Sequence, residues 1–277
     1  MSQEVLKELY KKYTGHDCSD IIELPSSGSN RHYFRLTGEP SLIGAVGNNL
    51  LENEAFLYMD EHFYAKGLNV PKVVAVSDDH MCYLQEDLGD VSLFSSIVKG
   101  RLTRVFSEDE KDLIRQTIRL LPEMQFKGAE GMDFSKCHPA SEFTCRSILW
   151  DLNYFKYCFL KATGLEFDED KLEDDFQAMS NLLLKSSSNT FMYRDFQSRN
   201  VMIKDGKPWF IDFQGGRKGP FYYDVASFLW QAKANFPDSL RKEFVADYID
   251  ALRKYQPVDA DEFNAQLRHF VLFRTLQ

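Results

Sequence analysis

The residues best able to do chemistry lie in Phe191-Met-Tyr-Arg-Asp195-Phe-Gln-Ser-Arg-Asn200-Val-Met-Ile and in Trp209-Phe-Ile-Asp212-Phe-Gln. An Asp is followed five residues later by an Asn, and twelve residues beyond that by a second Asp. Phosphoryl transfer from ATP needs this set. One carboxylate accepts the proton of an acceptor hydroxyl; an amide oxygen and a second carboxylate hold magnesium on the triphosphate. The spacing alone carries little weight, because Asp-x-x-x-x-Asn arises often by chance. Its surroundings add more. Phe191-Met192 is a short apolar strand signal, and Asp205-Gly206 is a hairpin turn between the arms Val201-Met-Ile and Pro208-Trp-Phe-Ile. Such a hairpin folds Asn200 back onto Asp212. The pattern reads as a kinase-like phosphotransferase rather than an ordinary hairpin with turn carboxylates.

The elements that must position these residues divide near Glu86–Gly89. Before that point the chain is strand-rich, with strands expected at Ile21–Leu24, Tyr33–Leu36, Ser41–Val46, Val70–Val76 and Met81–Gln85, and one helix from Glu52 to Lys66. After it, helices are expected at Val91–Ile97, Ser107–Gln125, Pro139–Leu160, Asp168–Leu184, Tyr223–Ala234, Leu240–Tyr255 and Asp259–Leu276. The expected fold class is α+β and bilobal. Residues 1–88 form a small antiparallel sheet lobe covering a nucleotide, and residues 89–277 a larger helical lobe with the catalytic loop and acceptor site. The last apolar helical pattern runs to Gln277 without a stop signal, and the expectation is that the natural chain continues.

Arg194-Asp-Phe-Gln-Ser-Arg-Asn-Val-Met, Ile211-Asp-Phe-Gln and Gly219-Pro-Phe-Tyr-Tyr-Asp224-Val-Ala-Ser-Phe-Leu resemble the aminoglycoside phosphotransferase and choline kinase superfamily, a branch of the protein-kinase-like fold. Within it they are most similar to bacterial kinases of the N-acetylmuramate/N-acetylglucosamine type, which phosphorylate the anomeric hydroxyl. The resemblance is specific over 191–230 and weaker over 22–90. It implies Asp195 as catalytic base, Asn200 and Asp212 as Mg2+ ligands, ATP as donor, and the anomeric hydroxyl of an amino sugar as acceptor. A choline-like amino alcohol or an aminoglycoside is the alternative acceptor.

The turn Ser26–Asn30 sits where a kinase places its phosphate-covering loop, so Ser27, Gly28, Ser29 and Asn30 are candidates to approach phosphate oxygens. The next strand, Leu42-Ile-Gly-Ala-Val-Gly47, lacks the Lys that kinases use on the α- and β-phosphates. Glu52 and Glu54 are available on the following helix, but their expected partner is absent; Arg31 or Arg35 is the candidate for the missing positive charge. Leu84-Gln-Glu-Asp-Leu-Gly89 reads as the interlobe hinge, with Gln85 and Asp87 offering main-chain groups to adenine. Tyr193 stands where the resembling families carry His, and packing is its expected role. The missing Lys and Tyr193 motivate a rival reading, a pseudokinase that binds nucleotide or a protein partner without turnover.

Acceptor candidates are Asp151 and Tyr154, on a helix rich in polar aromatics, together with Gln214 and Arg217. By resemblance that helix lies across the cleft from Asp195. Gly215-Gly-Arg-Lys-Gly-Pro is read as a tight turn presenting Arg217 and Lys218, which would suit an anionic acceptor such as a sugar bearing a lactyl carboxylate. Only twelve residues separate Asp212 from Asp224, so no long activation segment is expected, and the acceptor is a small molecule. Asp224 is expected to cap a helix and brace the catalytic loop.

Composition narrows the remaining classes. The net charge of −9 disfavours a nucleic-acid partner. Five cysteines, odd in number and without a Cys-x-x-Cys pair, fit a reduced cytoplasmic protein without structural zinc. The N-terminus reads as an amphipathic helix, not a signal peptide, and no apolar run is long enough to span a membrane. A monomer or weak dimer is expected.

Overall fold

The computed structural model describes residues 2–25, 31–186 and 188–277. In chain order the elements are α1 (Ser2–Thr14), β1 (Asp20–Glu23), β2 (His32–Thr37), β3 (Leu42–Val46), α2 (Leu50–Ala65), β4 (Val73–Val76) and β5 (Cys82–Glu86), followed by α3 (Leu93–Ser96), α4 (Val98–Thr103), α5 (Glu108–Phe126), α6 (Cys145–Phe155) and α7 (Glu169–Leu184). Then come β6 (Thr190–Met192), β7 (Val201–Lys204), β8 (Lys207–Phe210), β9 (Arg217–Gly219), α8 (Tyr222–Leu229), α9 (Asp238–Leu252) and α10 (Ala260–Leu276). The architecture is α+β: a sheet-rich lobe and a helical lobe, as in protein kinases.

Among the described residues the larger sheet is antiparallel, in the order β1-β2-β3-β5-β4. Side-chain alternation gives it two faces. On β5, Cys82 and Leu84 pack under the buried stripe of α1, Leu6, Leu9 and Tyr10. Tyr83 faces the other way and stacks on Phe56 of α2, with ring centroids 4.9 Å apart. Phe56 in turn stacks on Phe213 at 5.1 Å. The second face of the sheet is thus continuous with the core of the helical lobe, and one apolar cluster runs from Ala45 to Phe273. No helix of the described residues is long and apolar enough to cross a membrane.

Several expected boundaries shift. The helix expected over Pro139–Leu160 begins only at Cys145, after Thr144 caps it through Ser147 N. It widens into a π-turn at Lys156–Leu160. The helix expected over Tyr223–Ala234 ends at Leu229, and Ala232–Ala234 is a separate 3₁₀ turn. The helix expected over Val91–Ile97 is shorter and is followed by a second, α4. The segment read as a tight turn at 215–220 contains β9, which pairs with β6 through Phe191↔Lys218 and Met192↔Arg217.

Asp60 of α2 is buried, and its Oδ2 accepts the Val73 N–H at 3.0 Å. Its Oδ1 has no hydrogen-bond partner among the described residues. Burial pushes its carboxyl up to about 7, outweighing the Val73 bond, with Glu86 and Glu61 adding repulsion. The folded state therefore prefers the proton. The penalty is absent below the unfolded value near 4, grows as pH rises, and is complete above about 7. Asp60→Asn is accordingly expected to stabilise by about 2 kcal/mol at pH 8 and far less at pH 5. Melting curves at the two pH values check this; an equal shift at both would contradict it.

Candidate active site

The Asp205-Gly206 turn carries positive φ at both positions, 52° and 72°. That is the primed turn matching strand twist. It sets the β7–β8 register Val201↔Phe210 and Lys204↔Lys207. Asn200 enters the first arm and Asp212 leaves the second, so their side chains meet: Asn200 Nδ2 donates to Asp212 Oδ2 at 3.1 Å and to the Asp195 carbonyl at 2.8 Å. One amide group thus ties the three predicted catalytic positions together. It leaves Asn200 Oδ1 and the Asp212 carboxylate as oxygen donors.

Asp195 lies between these donors and a group of arginines. Burial of the carboxyl by surrounding protein raises its pKa, the Asp212 charge raises it further, and Arg194, Arg274 and Arg217 pull in the opposite direction. Its side chain still reaches solvent. A carboxyl with a raised pKa and open to solvent is a group able to accept a proton from a bound hydroxyl.

Two non-glycine residues here adopt the left-handed backbone conformation, Arg194 at φ 75° and Asp212 at φ 67°. Such residues persist only when their surroundings hold them. Asp224 supplies the hold on Arg194. Its Oδ1 accepts Arg194 N–H at 2.9 Å, and its Oδ2 accepts Tyr193 N–H at 2.9 Å and Gln125 Nε2 at 3.0 Å. Gln125 is fixed in turn by Tyr248 Oη, which donates to its Oε1 at 2.6 Å. Asp224 is fully buried inside the first turn of α8 and makes no N-cap bond, so it braces the catalytic loop without the expected capping role. Tyr193 is also fully buried, and its hydroxyl donates to the Ile211 carbonyl. It links the loop of Asp195 to the strand exit of Asp212, a polar function within the expected packing role. Gly216 closes the floor: a Cβ there would lie 2.1 Å from Phe191 Cζ.

Between the lobes lies a cleft of about 570 Å³. Ile43 of β3 and Leu24, just past β1, line it from the sheet lobe, Met202, Ile211 and Phe94 from the helical lobe, and Asn200 and Asp212 stand at its floor. Its apolar slot and polar end suit a nucleotide. Arg31, 2% exposed, also lines it. The Arg31 guanidinium bonds the Glu52 carbonyl at 3.1 Å and approaches Glu52 Oε1 at 3.4 Å. Phe56 lies beneath it at 5.4 Å. Arg31, immediately before β2, is thus a cation paired with a carboxylate of α2 at the cleft wall.

Residues 20–258 match the model of the phosphotransferase enzyme family. The chain belongs to that family. In sequence it is 27% identical to the N-acetylmuramate/N-acetylglucosamine kinase of Neisseria meningitidis serogroup B, over 83% of this chain and 66% of that protein. It is 24% identical to the protein of the same name from Pseudomonas aeruginosa, over 79% of this chain and 62% of the other. The match therefore spans less than two thirds of the length of these relatives. Among solved structures, choline kinase from Cryptosporidium parvum Iowa II superposes with a TM-score of 0.68 at 11% identity, covering 99% of this chain and 87% of that one. The GDP and kanamycin complex of the aminoglycoside phosphotransferase APH(2")-IIia gives 0.64 at 13%, covering 98% and 89%. These likenesses show the kinase-like fold.

The remaining candidates in this phosphotransferase fall into three groups. Ser27, Gly28, Ser29 and Asn30 lie outside the described residues. Arg35 does not turn toward the cleft floor: it is clamped at the hinge, Nε to Asp87 Oδ2 at 2.7 Å and Nη1 to Asp90 Oδ1 at 2.7 Å. Asp87 is equally committed. Its carboxylate accepts Arg35, Ser41 Oγ at 2.7 Å and Gly89 N–H at 2.9 Å, and its carbonyl accepts Lys204 Nζ at 3.3 Å. Gln85, Arg35 and Asp87 all line the cleft.

On the acceptor side, Asp151 is brought beside the catalytic loop, where Arg194 Nη2 donates to its Oδ1 at 3.2 Å. Gln214 turns toward Asp212: its Nε2 donates to Asp212 Oδ1 at 2.7 Å. Tyr154 stands 63% exposed on a separate groove beside Phe159 and Leu276. Arg217 is not presented on a turn. As part of β9 it is 3% exposed, donates to the Gly215 carbonyl at 3.1 Å, and is pushed down to about 10 by burial and by Arg194. Sequence reasoning missed Arg194 and Arg274 as charges acting on Asp195. Arg274 Nη1 donates to Tyr223 Oη at 3.1 Å, 51 residues away in sequence, a separation no local pattern signals.

Proposed function

We propose that this chain transfers the γ-phosphoryl group of ATP, with Mg2+, to a hydroxyl of a small molecule, the anomeric hydroxyl of an amino sugar. The observation that carries the reading is the convergence of Asp195, Asn200 and Asp212 on one amide group at the floor of the interlobe cleft. The donor set fits magnesium, which takes one or two carboxylates and phosphate oxygens while keeping waters. Among the described residues no group of three or more His, Cys, Asp or Glu forms a fuller cage, and none is required. Bound there, the ion would neutralise charge on the β- and γ-phosphates.

Asp195 takes the proton of the acceptor hydroxyl as its oxygen attacks phosphorus. The bond to the bridging oxygen breaks and ADP leaves. Arg31, held by Glu52, takes the phosphate contacts of the missing strand Lys. The features that suggested a non-catalytic relative are thereby met: the absent Lys by Arg31, the absent His by the Tyr193 bond to Ile211.

Charge selects among acceptors. Arg194 and Asp151 pair with each other, and Arg217 and Arg274 remain as positive charges acting on Asp195. This disfavours a quaternary ammonium or a polycation and favours a neutral or anionic sugar. The curated relatives named above support the same choice.

Acceptor-dependent ADP release, measured across N-acetylated amino sugars, choline and aminoglycosides, tests the proposal. Turnover confined to the amino sugars is expected; turnover only with cationic acceptors would overturn the sugar assignment. Arg31→Ala is expected to raise the KM for ATP by about 30-fold, the worth of one charge-assisted contact of ~2 kcal/mol. An unchanged KM would remove Arg31 from the phosphate site.

A further inference from the structure

Arg274 and Gln277 stand one turn apart at the end of α10. Burial of Phe263, Leu267, Phe270 and Phe273 docks that helix, so docking does not require its last polar turn. The turn builds a fixed network instead. The Arg274 guanidinium lies over the Tyr223 ring, 5.0 Å from its centroid, and donates to Tyr223 Oη, Ser227 Oγ and Gln277 Oε1. Tyr223 Oη donates to the same Gln277 oxygen at 2.7 Å. Two donors on Oε1 settle which way the Gln277 carboxamide points. Its Nε2 therefore faces Asp151 and donates to Oδ2 at 2.7 Å.

Asp151 is the carboxylate that Arg194 reaches from the catalytic loop. Arg194 is thus held twice, its backbone N–H by Asp224 and its guanidinium by Asp151. An arginine–carboxylate pair that still meets solvent contributes little unless its geometry is fixed. Gln277 fixes it by holding Asp151 Oδ2. Arg194 immediately precedes Asp195 and keeps a left-handed backbone, which persists only where its surroundings hold it. Resting on the phosphotransfer reading above, we infer that Arg274 and Gln277 are positioning residues for the reaction: through Asp151 they hold the Arg194 side chain, and with it the loop that presents Asp195.

Steady-state kinetics with ATP and N-acetylglucosamine test this, with choline and kanamycin as acceptors if the sugar is not turned over. Gln277→Glu sets a carboxylate against Asp151, and Asp151→Asn sets an N–H against Gln277 Nε2. Each is expected to lower kcat about tenfold, the scale of one lost charge-assisted hydrogen bond, with the KM for ATP within about twofold. Arg274→Gln, which releases Gln277, is expected to lose at least as much. Combining Asp151→Asn with Gln277→Glu restores the contact with reversed polarity, because the new amide donates to the new carboxylate. That double variant is expected to return kcat to within about threefold of the unaltered chain. Unchanged kcat in the single variants, a KM for ATP that moves as far as kcat, or a double variant that only multiplies the two losses would each overturn the inference while leaving the phosphotransferase reading intact. Gln277 is only half-buried at the helix end, so Gln277→Leu decides alone if the Asp151 variants do not fold: a tenfold loss in kcat supports the inference and an unchanged kcat overturns it. Absence of turnover with all three acceptors on the unaltered chain would overturn both.

Discussion

Asp195→Asn is expected to lower kcat by about 10³-fold while leaving nucleotide affinity within about threefold. The asymmetry follows from the geometry. In the proposed reaction Asp195 would offer its carboxylate to the acceptor, whereas its carbonyl, which the substitution retains, accepts Asn200 Nδ2 and would hold that residue in place for the metal. The melting temperature should not fall. Burial and the Asp212 charge already disfavour the ionised form of Asp195, so removing its charge relieves repulsion. The pH dependence has a defined sign. The base works only when ionised, so kcat/KM falls as pH drops through a value above the ordinary carboxylate range. That acidic limb should be missing from the residual activity of the variant. A variant with near-normal kcat would remove Asp195 from the chemistry.

Asp224→Asn carries the second largest expected effect, and it strikes fold and activity together. The carboxylate accepts two successive backbone N–H groups and the Gln125 amide in a fully buried position. An Asn there keeps one acceptor oxygen and sets an N–H donor against a donor. The expected cost is about 3 kcal/mol of stability. Because Arg194 needs this anchor to hold φ at 75°, the loop carrying Asp195 loses its position as well. A loss in kcat of about 10²-fold is expected at temperatures where the variant remains folded. Paired melting and kinetic measurements check it, and a destabilised variant with unchanged kcat would limit Asp224 to folding.

The parts of this design legible in the sequence are those that local chemistry determines. Asn200 and Asp212 meet because Asp205-Gly206 demands one particular turn, so their contact could be read from the hairpin alone. The lobe division at Glu86–Gly89 follows from a change of hydrophobic period. Arg217 was misread because a strand of only three residues shows no alternation, and Gly216 before it and Gly219 at its end look like turn residues. The start of α6 was misplaced because the Thr144 cap uses Ser147 rather than the Glu or Gln of the usual signature. Gln214 was named among the acceptor candidates with no local signal for its partner, and its amide goes to Asp212. The Arg31–Glu52 pair was visible as two candidates but not as a pair, because the turn between them and the docking of α2 decide it. Arg194, Asp151 and Arg274 lie on three elements far apart in sequence, and only tertiary packing gathers them around Asp195.

The most direct test of the central claim follows phosphorus itself. ³¹P spectra of the chain with ATP, Mg2+ and N-acetylglucosamine or N-acetylmuramate would be recorded over time, beside the same mixture with Asp195→Asn. The account predicts loss of the γ-phosphate resonance with matched growth of ADP and a sugar 1-phosphate, and neither change in the variant. Growth of inorganic phosphate alone, or a sugar phosphate formed equally by the variant, would contradict it.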